Sequence, residues 1–153
     1  MLTNYYTLKA LVSELEGKIE NAEIIEVFSQ NKNELIITFS LDGVYNSLVL
    51  SIDPANSYLF LRPRLNKSKQ NSVNLFSSIY GEIVSKISIH PTDRIIEILL
   101  SNDKKFVVMF FRGESNICLI QDGKIIAAFK REKKLLNSDF IVDKRDFEIN
   151  KYL

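Results

Sequence analysis

A single cysteine, Cys118, rules out a disulfide framework within the chain and leaves little basis for a thiolate metal site. It stands in the apolar stretch NICLI, which reads as the setting of a buried, inert thiol. There is also one histidine, His90, so a zinc site would need several carboxylates at spacings nothing motivates. The five glycines are scattered and build neither a phosphate cradle nor a dinucleotide fingerprint. No serine or cysteine occupies a nucleophile elbow. Catalytic, metal and cofactor roles therefore find no motif, and none is expected. No apolar run approaches the roughly 18 residues needed to span a bilayer. The opening MLTNYY carries neither a basic leader nor an unbroken apolar segment, so the cytoplasm is the expected location and no membrane partner is expected. The formal net charge is +1, so any electrostatic recognition must come from local patches.

What remains is an ordinary globular composition, 46% apolar and 25% charged, over 153 residues, which suits one domain. A chain of this size buries roughly 68–70% of its unfolded surface. Leu8, Leu11, Val12, Leu15 and Ile19 recur at helical spacing and predict a first helix, with Thr3 or Asn4 as its cap. Strand patterns follow at 23–29, 34–41, 47–52 and 58–61, with Asp42-Gly43 as a hairpin signal. A basic, proline-containing segment over 62–69 interrupts them. A second helix is predicted over 72–83, where Leu75, Phe76, Ile79, Tyr80 and Ile83 share one helical face. Five more strands are predicted at 83–89, 94–100, 105–111, 116–120 and 124–129. Short links between neighbouring strands favour antiparallel pairing. The expected fold class is α+β and β-rich: an antiparallel β-sandwich flanked by two helices. The helix-then-strands order occurs twice, as a loose echo without a shared residue motif.

Three clusters bear on recognition. Arg62, Arg64, Lys67 and Lys69 put four cations within eight residues, and Lys130, Arg131, Lys133 and Lys134 put four within five. Such clusters can neutralise phosphates, and they also occur on plain solvated loops and tails. Tyr5, Tyr6, Tyr58 and Phe60 could stack on bases, although core packing accounts for most aromatics. The third cluster is the stretch HPTDRII, in which Asp93 and Arg94 follow a proline turn and open an apolar run. Arg94 offers a planar fork suited to phosphate or a base edge, and Asp93 accepts from amino or hydroxyl groups. The plainer reading is a turn-forming aspartate beside a solvated arginine, with an exposed ion pair contributing only ~0–1 kcal/mol.

At these residues the chain resembles the N-terminal domain of the NFACT family, also called fibronectin-binding protein A-like proteins, from about Tyr6 to Arg131. TLKALVSEL at 7–15 is similar to the family's opening helix. NELIITF at 33–39 and LVLSIDPANSYLFL at 48–61 resemble its first strands. DRII at 93–96 matches its Asp-Arg motif, and RGESNICLIQDGKIIAAFK at 112–130 resembles its Ser-Asn-Ile strand and following hairpin. The resemblance implies a fold like the N-terminal domain of formamidopyrimidine-DNA glycosylases without their activity, since Leu2 and Thr3 stand where the nucleophilic proline and its glutamate would be. It implies a ribosome-associated quality-control role. In that role the family recognises a blocked large ribosomal subunit and recruits tRNA for template-free tailing of the stalled peptide. No catalytic side chain is then required, and no DNA partner is expected. Asp93 and Arg94 become the first choices for RNA contact, with Arg62, Arg64, Lys67, Lys69 and Arg112 beside them.

Some positions depart from the family pattern. SIYG at 78–81 replaces a usual basic pair, Glu114 replaces a common histidine, and Thr7 stands where some relatives have an acid. Residues 1–131 are expected to form the family-like domain. Residues 132–153 are expected to be a charged tail or the beginning of a further region, such as the helix-hairpin-helix and coiled coil of full-length members. The competing reading is a protein-interaction domain of the fibronectin-binding kind with no RNA role.

Overall fold

The structure, a computed structural model, describes residues 4–111 and 114–140. Helix α1 spans Tyr5–Ile19 and buries Leu8, Val12, Leu15 and Ile19, one stripe of a 3.6-residue period. Asn4 caps it: its side-chain oxygen accepts from the Tyr6 and Thr7 amides at 2.9 and 3.4 Å. The helix stops at Glu20, which is extended, and Asn21 follows at φ 70°. Among the described residues no helix is long and apolar enough to cross a membrane.

Among the described residues ten strands form two antiparallel sheets. The first holds β1 (Glu23–Asn31), β2 (Glu34–Leu41), β3 (Val44–Ser51), β4 (Tyr58–Pro63) and β5 (Val73–Asn74) in the order β4-β3-β2-β1-β5. The second is a meander of β6 (Val84–Ile89), β7 (Ile95–Leu100), β8 (Lys105–Met109), β9 (Asn116–Gln121) and β10 (Lys124–Ala128). Asp42 and Gly43 turn β2 into β3 with φ of 51° and 79°, and Asp122 and Gly123 turn β9 into β10 with 52° and 76°. Both residues of each pair are left-handed, the backbone that a two-residue hairpin needs to match the twist of its strands.

Strand alternation distributes the side chains. Leu35, Ile37, Phe39, Leu48 and Leu50 share one core with Ile96, Ile98, Phe106, Val108, Ile117, Leu119 and the α1 stripe. Intervening residues point outward and are covered as well. Phe28, Ile36 and Val49 lie under Tyr58 and Leu65 on the first sheet. Ile95, Val107, Cys118 and Ile120 lie under Leu135 and Phe140 on the second. Cover on both faces explains why these strands read as nearly continuous apolar runs rather than alternating ones.

The helix predicted over 72–83 is not formed. That stretch contains β5, a left-handed Phe76 at φ 51°, a 3₁₀ turn at Ser77–Ile79 and Gly81 at φ 88°. Leu75 N–H donates to Val27 O at 3.0 Å and Gly81 N–H to Ile24 O at 2.7 Å, both on strand β1, while the Ile79, Tyr80 and Glu82 amides close only i→i−3 bonds. Phe76 and Ile79 still reach the core, but each enters it from irregular backbone. Pairing with β1 overrides a spacing that suits a helix.

The second helix, α2, is a single turn at Glu132–Leu135. Residues 132–140 run back along β10, where Ile125 N–H donates to Ser138 O at 2.9 Å and Asn137 N–H to Ile125 O at 2.8 Å.

Candidate nucleic-acid interface

The Asp-Arg pair sits in the hairpin joining β6 to β7. His90 N–H donates to Ile95 O at 2.8 Å and closes the hairpin. Asp93 Oδ1 accepts from the Arg94 amide at 2.8 Å, and Arg94 O accepts from the Phe110 amide at 3.0 Å, one further rung of the β7–β8 ladder. Both residues are half-buried, so their backbones are fixed while part of each side chain meets solvent. His90 Nδ1 faces the Thr92 amide at 3.3 Å and so acts as an acceptor that shapes the turn. From outside the hairpin, the Tyr5 hydroxyl donates to Pro91 O at 2.8 Å, tying the start of α1 to this corner.

Register places other cations at the same end of the second sheet. Ile95 pairs Met109, which pairs Asn116, and the Phe129 amide donates to Ile117 O at 2.8 Å. Residues 94, 110, 116 and 129–131 therefore share one rim. Asn116, 1% exposed, holds the last of these segments: its Oδ1 accepts from the Lys130 amide at 2.9 Å and its Nδ2 donates to Lys130 O at 2.8 Å. This clasp gives the Ser-Asn-Ile motif a physical role.

Lys130 in turn bridges the sheets, because its Nζ donates to the carbonyl of Lys32 in the β1–β2 turn. The Lys130 ammonium lies 4.7 Å from the Phe129 ring centroid. Its pKa is lowered, first by burial and then by repulsion from Lys32. A partly buried ammonium with a like charge nearby suits an anion, which would relieve the repulsion on Lys130. Arg131 reaches back to the Glu114 carbonyl at 3.3 Å. The rim thus carries Lys32, Arg94, Lys130 and Arg131. Arg112, predicted to belong here, lies outside the described residues. Lys32 was not anticipated: its place depends on a contact with a residue 98 positions away, which no local pattern encodes.

The basic segment 62–69 lies on the other sheet. It leaves β4 and crosses the outer face of the first sheet as a strap toward β5. The Leu65 amide donates to the buried Ser47 hydroxyl at 2.9 Å, and the Ser68 amide donates to the Gln30 side chain. Arg64 contacts Glu26 at 3.8 Å and lies over the Tyr45 ring at 5.0 Å. Lys67 Nζ donates to Asn74 Oδ1 at 2.8 Å. Arg62 and Lys69 are exposed. Arg64 and Lys67 therefore fasten the strap, and the four cations form a surface separate from the Asp93–Arg94 hairpin. Among the described residues no group of three His, Cys, Asp or Glu side chains is arranged to hold a metal.

One family model, that of NFACT N-terminal and middle domains, matches residues 4–148. A search of curated proteins gives no match. Among solved structures, the chain is similar to the N-terminal domain of the fibronectin-binding protein PavA from Streptococcus pneumoniae, with a TM-score of 0.77 at 19% identity; the match covers 95% of this chain and 68% of that one. It is also similar to the N-terminal part of a fibronectin/fibrinogen-binding protein from Streptococcus suis, with a TM-score of 0.71 at 20% identity over 91% of this chain and 65% of that one. A fibrinogen-binding protein from Staphylococcus aureus gives a TM-score of 0.66 at 20% identity, over 87% of this chain and 53% of that one. At these identities the likeness establishes a shared fold, and the chain spans about two thirds or less of the first two structures' length.

Proposed function

The chain belongs to the family of NFACT N-terminal and middle domains, and from that premise we propose that it is an RNA-binding module whose partners are tRNA and the large ribosomal subunit. The observation that carries this reading is the rim on which half-buried Asp93 and Arg94 share one sandwich end with Lys32, Lys130 and Arg131. A guanidinium on a fixed backbone can engage a phosphate or base edge with little loss of side-chain freedom. The neighbouring ammonium groups supply sequence-independent attraction for the phosphate backbone. In this reading the module binds and positions. Peptide-bond formation belongs to the ribosome, so no side chain of this domain is asked to catalyse, and the cytoplasm is its workplace.

The test is a tRNA titration at several salt concentrations. Affinity should fall as salt rises. Arg94→Ala should weaken binding about tenfold, within the range for a lost charge-assisted contact. Lys18→Ala, at the far end of α1, should change little. Equal losses at both positions would reduce the effect to diffuse charge and remove Arg94 from its role.

A second reading, a protein-interaction domain, is favoured by one observation: the similar structures carry names that say they bind fibronectin or fibrinogen. Binding of purified fibronectin that survives nuclease treatment and is insensitive to Arg94→Ala would support it over the RNA reading.

A further inference from the structure

The outer face of the first sheet presents a pattern that the rim does not use. Cross-strand pairs in an antiparallel sheet point to the same side, and residues two apart on one strand share a face. Val49 pairs Phe60 and Ser47 pairs Arg62 across β3 and β4. Val49 belongs to the small outer cluster with Phe28 and Ile36, so Phe60 and Arg62 stand on the outer face, and Tyr45 joins them by alternation along β3. Phe60 and Tyr45 are each 42% exposed. The Phe60 ring lies 5.8 Å from the half-buried Tyr58 ring, which backs it. The Arg64 guanidinium lies 5.0 Å from the Tyr45 ring centroid. Tyr45 and Val49 are four residues apart, which at strand rise sets the two rings roughly 13 Å apart. Arg62 occupies the register between them. The sequence from β4 to the strap is therefore ring, cation, ring, cation.

Charge selects among occupants. Two acids lie on this face: Glu26 pairs with Arg64 at 3.8 Å, and Glu34, which accepts from the neutral Tyr58 hydroxyl, keeps its charge. Lys67 is held by the neutral side chain of Asn74, so its charge is not cancelled there. Against these two acids stand Arg62, Arg64 and Lys67, so the face keeps an excess of positive charge beside two partly exposed aromatic rings, one of which carries Arg64 on one side. A duplex offers its phosphates but keeps its base faces stacked, whereas an unpaired strand offers both.

We propose that this face, centred on Phe60, Arg62 and Tyr45, is a platform for an unpaired RNA segment, with bases stacked on the exposed sides of the two rings and the intervening phosphate on the Arg62 guanidinium. The proposal rests on the RNA-binding reading above and adds a second contact surface on the opposite sheet from Asp93 and Arg94.

The test uses three labelled ligands in anisotropy titrations: an oligouridine of about twelve nucleotides, a fully paired RNA duplex of similar length, and tRNA. Phe60→Leu and Tyr45→Leu keep apolar bulk and remove the ring. Each should weaken oligouridine binding about 5- to 10-fold and leave the duplex within about twofold. Arg62→Ala should lower the slope of log affinity against log salt by about 0.7 for oligouridine. If both ring variants bind oligouridine like the parent while Arg94→Ala still impairs tRNA binding, the platform is refuted and the RNA reading stands. If the parent protein binds none of the three RNAs, both fall together. If the ring variants lose purified fibronectin and keep oligouridine, the face docks protein and the proposal is overturned.

Discussion

The Tyr5 hydroxyl donates to the carbonyl oxygen of Pro91 at 2.8 Å across 86 residues of chain, joining the first turn of α1 to the hairpin that presents Asp93 and Arg94. The tether adds to the hairpin's own bonds in limiting how far it can open. Tyr5→Phe deletes the donor and leaves the ring, including its edge-to-face contact with Tyr6 at 5.5 Å. Because the bond is exposed, water replaces much of it, and the expected loss in urea unfolding is about 0.5 kcal/mol. The larger effect should be local. Amide exchange at His90 and its neighbours should quicken, and tRNA affinity should drop by less than Arg94→Ala causes. Unchanged exchange at the hairpin would show that the tether carries no load.

Asn116 makes a stronger claim on stability. It is 1% exposed, its Oδ1 accepts from the Ile117 and Lys130 amides, and its Nδ2 donates to Lys130 O. Asn116→Ala would strand these backbone groups where water has little access. The bonds share one side chain and are not additive, so the expected cost is about 2–4 kcal/mol. That corresponds to a fall in Tm of about 5–15 °C for a domain of this size. Thermal unfolding followed by circular dichroism checks it. A fall under about 2 °C would mean that the Lys130 segment finds other partners.

The local parts of this structure were legible in the sequence. The α1 stripe and its Asn4 cap follow from helical spacing and one side-chain oxygen, and Asp42-Gly43 names its own turn. The two strands flanking Asp93 also follow from their apolar patterns, although Arg94, expected to open the second, lies one residue before it. What could not be read was long-range. Leu75, Phe76, Ile79 and Tyr80 have helical spacing by coincidence. In fact Tyr80 sends its hydroxyl to Val27 O at 2.8 Å and Phe76 meets the Phe106 ring at 5.0 Å, each from irregular backbone. The segment 62–69 looked like an interruption because nothing in it announces that Ser47 and Gln30 await its amides. Lys32 joins the candidate rim through Lys130, a partner that only the packed sandwich brings near.

The strap rests on a buried polar pair. Thr38 Oγ1 and Ser47 Oγ lie 3.1 Å apart, both residues fully buried, and Ser47 Oγ also accepts from the Leu65 amide at 2.9 Å. Ser47→Ala removes the shared atom and leaves a buried hydroxyl and a half-buried amide without it. The expected destabilisation is about 1–3 kcal/mol. Adding Thr38→Val removes the orphaned hydroxyl, so the double variant should be less destabilised than the sum of the two single ones. Urea midpoints for the four proteins of this cycle measure the coupling. Simple additivity would dissolve the pair as a unit. If the strap loosens, oligouridine binding on the outer face should weaken along with stability.

Cys118 gives a prediction in pH. It is fully buried on the outer side of β9 among Ile95, Val107 and Ile120. Burial pushes its thiol from 9.0 up to about 11, an effect that the nearby Arg131 charge partly opposes. The folded protein therefore holds the proton more tightly than the unfolded chain does. Below about 9 both states are protonated and this group favours neither. Between about 9 and about 11 the unfolded chain loses the proton first, so the unfolded state binds fewer protons and stability falls as pH rises. Other groups titrate in that window, so the comparison is with Cys118→Ala, whose stability should decline less steeply over the same range. The thiolate is the reactive form, so a thiol reagent at pH 8 should label Cys118 only at the rate of unfolding and label it fully in denaturant. Rapid labelling of the folded protein at that pH would contradict the buried placement of the thiol, and with it the docking of Leu135 and Phe140 over this face.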